Sequence, residues 1–113
     1  MLAAALVINI AVLIPVCSGL LRQAPAMEAL YGPDQDSRRI MTALYLAIGV
    51  GSAVLLAGLA IGAPVTGAIV CLLALQIFYN CLTGVMVGTH NVAIRWNLGI
   101  AAFHTAAVAS LAL

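Results

Sequence analysis

The chain has 113 residues, of which 65% are hydrophobic and 6% are charged, and its formal net charge is +1. A soluble globular domain typically carries about 25% charged residues, because water must solvate its surface. This composition therefore excludes a water-soluble globule and predicts a surface that faces lipid. With no lysine and no extended basic patch, the sequence also excludes a nucleic-acid partner.

Four long apolar runs predict four membrane-spanning helices. A helix needs about 20 residues to cross a hydrocarbon core about 30 Å thick. Runs of this length without a ten-residue alternation exclude a β-barrel. The expected fold is an all-α four-helix transmembrane bundle that forms a single integral membrane domain over residues 1–113. The predicted spans are residues 2–21, 39–60, 64–87 and 92–113.

The first apolar run has a rival interpretation as a secretory signal peptide, because Ala24-Pro25-Ala26 resembles a cleavage site. The run is about 20 residues long and has no basic segment before it, so a membrane span is favoured. Asn9 lies near the middle of this span, and Pro15 is expected to kink it.

Residues 22–38 form the longest polar stretch of the chain. A short helix is predicted between Pro25 and Gly32, since proline is favoured at the first helical position and glycine after the last. Tyrosine favours the headgroup layer, so we expect one face of this helix to lie there. That face carries Met27, Leu30 and Tyr31.

The charged residues of this loop have two interpretations. Asp34 or Asp36 can cap the second span, and Arg38 and Arg39 can anchor it to lipid headgroups. Alternatively, these four charges and Glu28 form the mouth of a site for a partner or substrate. The first interpretation is favoured, because each charge then has an ordinary structural role.

The arginines all fall on one side of the predicted membrane. Four spans place the loops at residues 22–38 and 88–91 on the same face, and these loops and their flanks contain Arg22, Arg38, Arg39 and Arg95. The positive-inside rule predicts that this face is cytoplasmic and that both termini lie on the non-cytoplasmic side. The expected location is the bacterial inner membrane, crossed by several spans.

Polar side chains within the predicted spans are the candidates for a site, because polar groups at membrane depth are costly and mark helix contacts or function. Two layers are predicted from their depth. Asn9, Ser52, Gln76 and His104 lie near the midplane, and Tyr45, Asn80, Thr83 and Asn97 lie nearer the arginine side. All four spans can thus contribute to one polar core open toward that side. Its candidate ligand-binding residues are Tyr45, Gln76, Asn80, Thr83, Asn97, His104 and Asn9.

The same residues have a structural interpretation, in which amides and hydroxyls bond across helices for about 0.6 kcal/mol each. This interpretation is favoured because no carboxylate joins the cluster, and most catalytic sites need an acid or a nucleophile. The sequence therefore predicts no catalytic residue, no metal ligand, no cofactor and no enzyme activity. A neutral, hydrogen-bonded His104 is favoured over a proton-handling one.

The remaining candidate metal or redox ligands do not form a site. His90 and His104 lie about four helical turns apart, so they cannot share one haem iron. The three cysteines have no paired spacing, so they are interpreted as small apolar residues. They are Cys17, Cys71 and Cys81.

Glycine pairs four residues apart, a motif of dimerising helices, occur at Gly58/Gly62 and Gly84/Gly88. Among ten glycines, about one such pair is expected by chance, so the motif is weak support for an oligomer. An oligomer remains expected on other grounds, because the chain has almost no soluble surface.

The sequence resembles small uncharacterised four-helix bacterial membrane proteins with a DoxX-like layout. The motifs that carry this resemblance are residues 27–34, the pair Arg38-Arg39 and residues 91–95. The resemblance implies the four-helix membrane fold. Some of these relatives are labelled phosphopantetheine adenylyltransferase, but this sequence has no nucleotide-binding α/β domain and no glycine-rich phosphate loop. Small multidrug-resistance transporters share the layout but carry a glutamate in their first helix, where this chain offers only Asn9.

Two functions are expected from these features. The first is a non-enzymatic integral inner-membrane protein that forms a homo-oligomer or an accessory subunit of a membrane complex. The alternative is a binder or carrier of a lipophilic or small neutral molecule in the polar core. In both, the lipid bilayer is the immediate surrounding and other membrane subunits are the expected partners.

Overall fold

The computed structural model describes residues 1–113 and is entirely helical. Four helices are long and apolar enough to cross a membrane, which confirms the predicted all-α class. The longest dimension of the molecule is 41 Å, against a hydrocarbon thickness of about 30 Å. In chain order the helices are α1 (Leu2–Leu21), α2 (Pro25–Tyr31), α3 (Asp36–Ala60), α4 (Thr66–Val87) and α5 (Val92–Ala109), followed by a 3-10 turn at Ser110–Ala112.

The long helices do not coincide with the apolar runs at their ends. Helix α3 begins at Asp36 rather than at residue 39, because its first turn is polar but still forms helical hydrogen bonds. Helix α4 begins at Thr66, after a turn that contains Pro64, and α5 gives way to a 3-10 turn at Ser110. Apolar sequence marks the part of a helix that lipid can surround, whereas backbone hydrogen bonding sets where the helix ends.

The bundle consists of two closely packed helix pairs. Helix α1 packs along α3, and α4 packs along α5, whereas α3 touches α4 and α1 touches α5 much less. Glycine permits the close approach of α4 and α5, since a Cβ atom at Gly84 would lie 3.2 Å from the side chain of Leu98. The seam between the two pairs is therefore the loosest part of the molecule, and it contains the polar side chains.

The arginines gather at one end of the bundle, here called the arginine end. Asn91, which caps α5 by accepting from the Ala93 amide, donates its Nδ2 to the Leu30 carbonyl at 2.8 Å. This bond ties the connection between α4 and α5 to α2, so both loops lie together. Arg22 ends α1, Arg38 and Arg39 lie in the first turn of α3, and Arg95 lies in the first turn of α5.

Burial is distributed as lipid surroundings require. Only 19 of 113 residues are buried, and seven of these are polar or charged, whereas side chains such as Ile61 and Val85 are more than 80% exposed. A water-soluble monomer rarely exposes so much apolar surface. The small apolar core near the chain termini consists of Ala5, Leu6, Ile69, Leu73 and Ala107.

Helix α2 has the predicted bounds and is ended by Gly32, whose φ of +85° suits glycine. Its apolar face, expected in the headgroup layer, packs instead on the bundle. Met27 lies 3.2 Å from the position of a Cβ on Gly19, and the Tyr31 ring packs edge-to-face on Tyr45, with centroids 6.0 Å apart. Residues that suit a lipid interface also suit a helix–helix contact, and the position of α2 in the headgroup layer stays a prediction.

The capping role predicted for Asp34 or Asp36 is wrong. Gln35 is the N-cap residue of α3, and no side chain caps this helix. Asp34 instead accepts hydrogen bonds from Arg39 at 3.0 and 3.1 Å and from Gln23 at 2.9 Å. Hydrogen bonding and charge from Arg39, together with the nearby Arg38, lower the pKa of Asp34 below its usual value. The Asp34 carboxylate therefore stabilises the loop between α2 and α3.

Candidate functional site

Three buried polar side chains near mid-depth form a closed hydrogen-bond network. Asn9 Nδ2 donates to Gln76 Oε1 at 2.7 Å, and Gln76 Nε2 donates back to Asn9 Oδ1 at 3.1 Å. Asn9 Nδ2 also donates to Ser52 Oγ at 3.1 Å. The reciprocal amide pair joins α1 to α4 across the seam, and Ser52 adds α3. This part of the predicted polar core holds helices together, as its structural interpretation requires.

A small cavity of about 40 Å³ lies beside this network, on its arginine side. A water molecule needs at least about 10–15 Å³ of such space, so the cavity can hold about three water-sized groups. The side chains of Tyr45, Tyr79, Asn80 and Asn97 line it and form no standard hydrogen bond within the protein. The Tyr45 hydroxyl lies near Asn97 and Tyr79 without reaching such geometry with either. Their donors and acceptors are therefore available to water or to a ligand.

The cavity continues into a cleft of about 420 Å³ at the arginine end, between α2, α3, α4 and α5. Cavity and cleft share four wall residues, which are Tyr31, Tyr45, Tyr79 and Asn97. Thr83 and Asn91 add polar groups nearer the mouth, and Glu28 lies at the rim. The expected polar core open toward the arginines therefore has a counterpart in the fold.

The lining of the cavity is mostly hydrophobic, and its polar side chains are all uncharged. Burial raises the pKa of Tyr31, and the nearby Tyr79 and Cys17 raise it further, so this phenol stays neutral at physiological pH. Arg38 is buried and donates to the Gly32 carbonyl at 3.2 Å, which keeps its charge on the loop side. The site therefore offers neutral amides and phenols, which suit recognition by hydrogen bonds.

Six of the seven predicted ligand-binding residues lie together. Thr83 lines the cleft, and its hydroxyl donates to the Asn80 carbonyl of its own helix at 2.8 Å. The five that line the cavity are Asn9, Tyr45, Gln76, Asn80 and Asn97. Their grouping follows from helical spacing on α4 and from the depth of each polar residue in its span.

His104 does not join them. Its side chain is completely buried near the backbone of Ala5, one turn of α1 beyond Asn9, and does not line the cavity. Neither ring nitrogen forms a hydrogen bond of standard geometry, although the Ala5 backbone lies beside the imidazole. Depth in the span predicts the level of His104 in the bundle, but it does not reveal which polar side chains line the cavity.

Sequence reasoning missed two tyrosines of the site. Tyr79 lies at the edge of the polar stripe that Gln76, Asn80 and Thr83 form on α4. Tyr31 reaches the cavity only because α2 folds back onto the bundle. The lining contains no carboxylate and no thiol, so it favours binding over catalysis. Comparison with protein-family models, curated proteins and solved structures finds no match to this chain.

Proposed function

We propose that this chain is a multi-pass protein of the bacterial inner membrane that binds a small neutral molecule, or the neutral polar part of a larger one. The main support is the group of unpaired side chains on one cavity wall, namely Tyr45, Tyr79, Asn80 and Asn97. These donors and acceptors face the cavity without a standard hydrogen bond inside the protein, so they can bind water or the polar groups of a ligand. The role is non-enzymatic.

The neutrality of the site supports a neutral ligand. Burying a charged group without an opposite charge is far more costly than burying a hydroxyl or an amide. The Arg39 guanidinium is bound to Asp34 on the loop, and Arg38 bonds to the backbone of that loop. A ligand with an uncharged donor and acceptor set therefore matches the wall best.

Assembly as a homo-oligomer or accessory subunit, the first function expected from the sequence, has less support. In helices that associate through paired glycines, the glycines leave a flat surface for the neighbouring chain. Here Gly58 and Gly84 face Val65 and Leu98 of the same chain, with Cβ distances of 3.0 and 3.2 Å. Their small size already serves packing within one molecule.

Native mass spectrometry of the protein, extracted gently from its own membrane, tests the proposed function. The wild type should retain a small molecule, and Asn97→Ala should lose it with little change in thermal stability. Thr105→Ala is the matched control on the same helix, because the Thr105 hydroxyl bonds only to the Ala101 carbonyl. A bare protein, or equal retention by wild type and Asn97→Ala, would contradict the proposal and favour a structural role for the whole polar core.

A further inference from the structure

A second groove, of about 440 Å³, lies on the outer surface between α3 and α4, which pack much less closely than α1 with α3 or α4 with α5. Eight of its nine lining residues are hydrophobic. On α4 the lining runs from Leu72 to Leu82, a rise of about 15 Å at 1.5 Å per residue, or half of a hydrocarbon core about 30 Å thick. The groove is therefore long enough for part of an alkyl chain, and it crosses the level of Gln76.

The groove and the polar cavity share part of their walls. Ile48, Gln76 and Tyr79 line both. Gln76 is held by Asn9 through their amide pair, whereas Tyr79 is half-buried and lies near Tyr45 without forming a hydrogen bond of standard geometry. A polar side chain that borders an apolar groove costs free energy when only lipid tails fill the groove. The adjacent groove and cavity therefore favour an occupant that has both an apolar chain and a polar head group.

We infer, as a deepening of the proposed function, that the ligand is an uncharged amphiphile with a single chain. Its chain lies in the groove between α3 and α4, and its head group enters the cavity past Tyr79 from the side of the membrane. The cavity holds about three water-sized groups, so it admits only the hydroxyl end of a head group and excludes a phospholipid head. Neutrality follows from the absence of charged side chains in both linings.

A photo-crosslinking experiment in phosphatidylcholine nanodiscs tests the inference. The probe is a monoacylglycerol with a diazirine in its chain, and the anionic fatty acid with the same chain is the comparison. Saturable labelling by the monoacylglycerol should map to α3 and α4 around Leu44, Leu75 and Leu82, and unlabelled monoacylglycerol should compete. The fatty acid should label only at the background level.

Two tryptophan variants separate the groove from general lipid contact. Ala47 is an exposed groove residue, and Ala47→Trp should fill the groove and weaken saturable labelling by about tenfold or more, as overfilled packing predicts. Ala106→Trp, at an exposed alanine of α5 outside the groove, should leave labelling unchanged. Asn97→Ala, in the cavity, should also weaken it.

The outcomes distinguish the inference from the proposed function. If Asn97→Ala removes the labelling but Ala47→Trp does not, entry of the ligand from the membrane through the groove is overturned. A neutral ligand in the cleft would still be supported. Labelling equal for the monoacylglycerol and the fatty acid would overturn the neutral head group. Labelling that none of the variants lowers, or that does not saturate, is general lipid contact and would overturn the amphiphile, while a different neutral molecule retained in native mass spectrometry would still support the proposed function.

Discussion

At the scale of single residues, the buried polar groups of the seam divide by hydrogen bonding. Asn9 and Gln76 satisfy each other, whereas His104 is buried with both ring nitrogens unpaired. A satisfied amide pair stabilises the bundle modestly, but an unpaired polar group in an apolar core costs free energy. Burial alone therefore does not tell whether a polar residue raises or lowers the free energy of unfolding of this protein.

Replacing His104 by leucine should raise the free energy of unfolding by about 1–3 kcal/mol, because it removes an unpaired buried polar group and breaks no hydrogen bond. Asn9→Leu, measured in parallel, should lower it, since the Gln76 amide would lose its partner. Denaturation in detergent micelles, followed by circular dichroism, gives both values. A destabilised His104→Leu variant would mean that the imidazole forms a bond that this geometry lacks.

At the scale of elements, the predictability of the site differed between helices. The polar stripe of α4 follows from its spacing, since Gln76, Asn80 and Thr83 recur at helical steps and lie on one wall. The bounds of helix α2 were predictable, but its contact with the bundle was not, because local sequence does not reveal which neighbouring helix an apolar face will meet. Tyr31 therefore joined the site only through tertiary packing.

The loop that positions α2 depends on Asp34, and its contribution should depend on pH. The folded-state pKa of this carboxyl lies below the unfolded value of 3.8, because the ionised form accepts hydrogen bonds from Arg39. Its stabilising effect is therefore fully present above pH 3.8 and is lost as the pH falls through the lower folded-state value. The effect is small and sensitive to salt, because the pair is exposed.

Asp34→Asn should lower Tm slightly at about pH 7, and its difference from the wild type should shrink as the pH falls below 3.8. The matched control is Asp36→Asn, because Asp36 forms no salt bridge. Thermal scans of the three proteins at several pH values measure the difference. A gap between wild type and Asp34→Asn that stays constant with pH would show that the carboxylate does not act through its charge.

At the scale of the whole molecule, the apolar surface and the position of the arginines define two unlike ends. Four helices are long and apolar enough to span a membrane, and the four arginines lie at one end of their bundle. Composition and run length made the helices predictable, because lipid imposes the same requirement on every span. Packing of helices into two pairs with a loose seam was not predictable, since it depends on side-chain fit such as that of Leu98 against Gly84.

Membrane orientation is the last property that the arginines predict, and it decides which leaflet supplies the ligand. The α3 wall of the groove, at Leu44, Ala47 and Ile48, lies between Ser52 and the arginine end, so the positive-inside rule predicts that this part of the groove faces the cytoplasmic leaflet. In a variant whose three cysteines are replaced by alanine, a single cysteine at Ala63 should react with an impermeant maleimide in intact cells. A single cysteine at Gln35 should react only after the membrane is permeabilised. The reverse pattern would place the arginine end outside, and the amphiphile would then come from the outer leaflet.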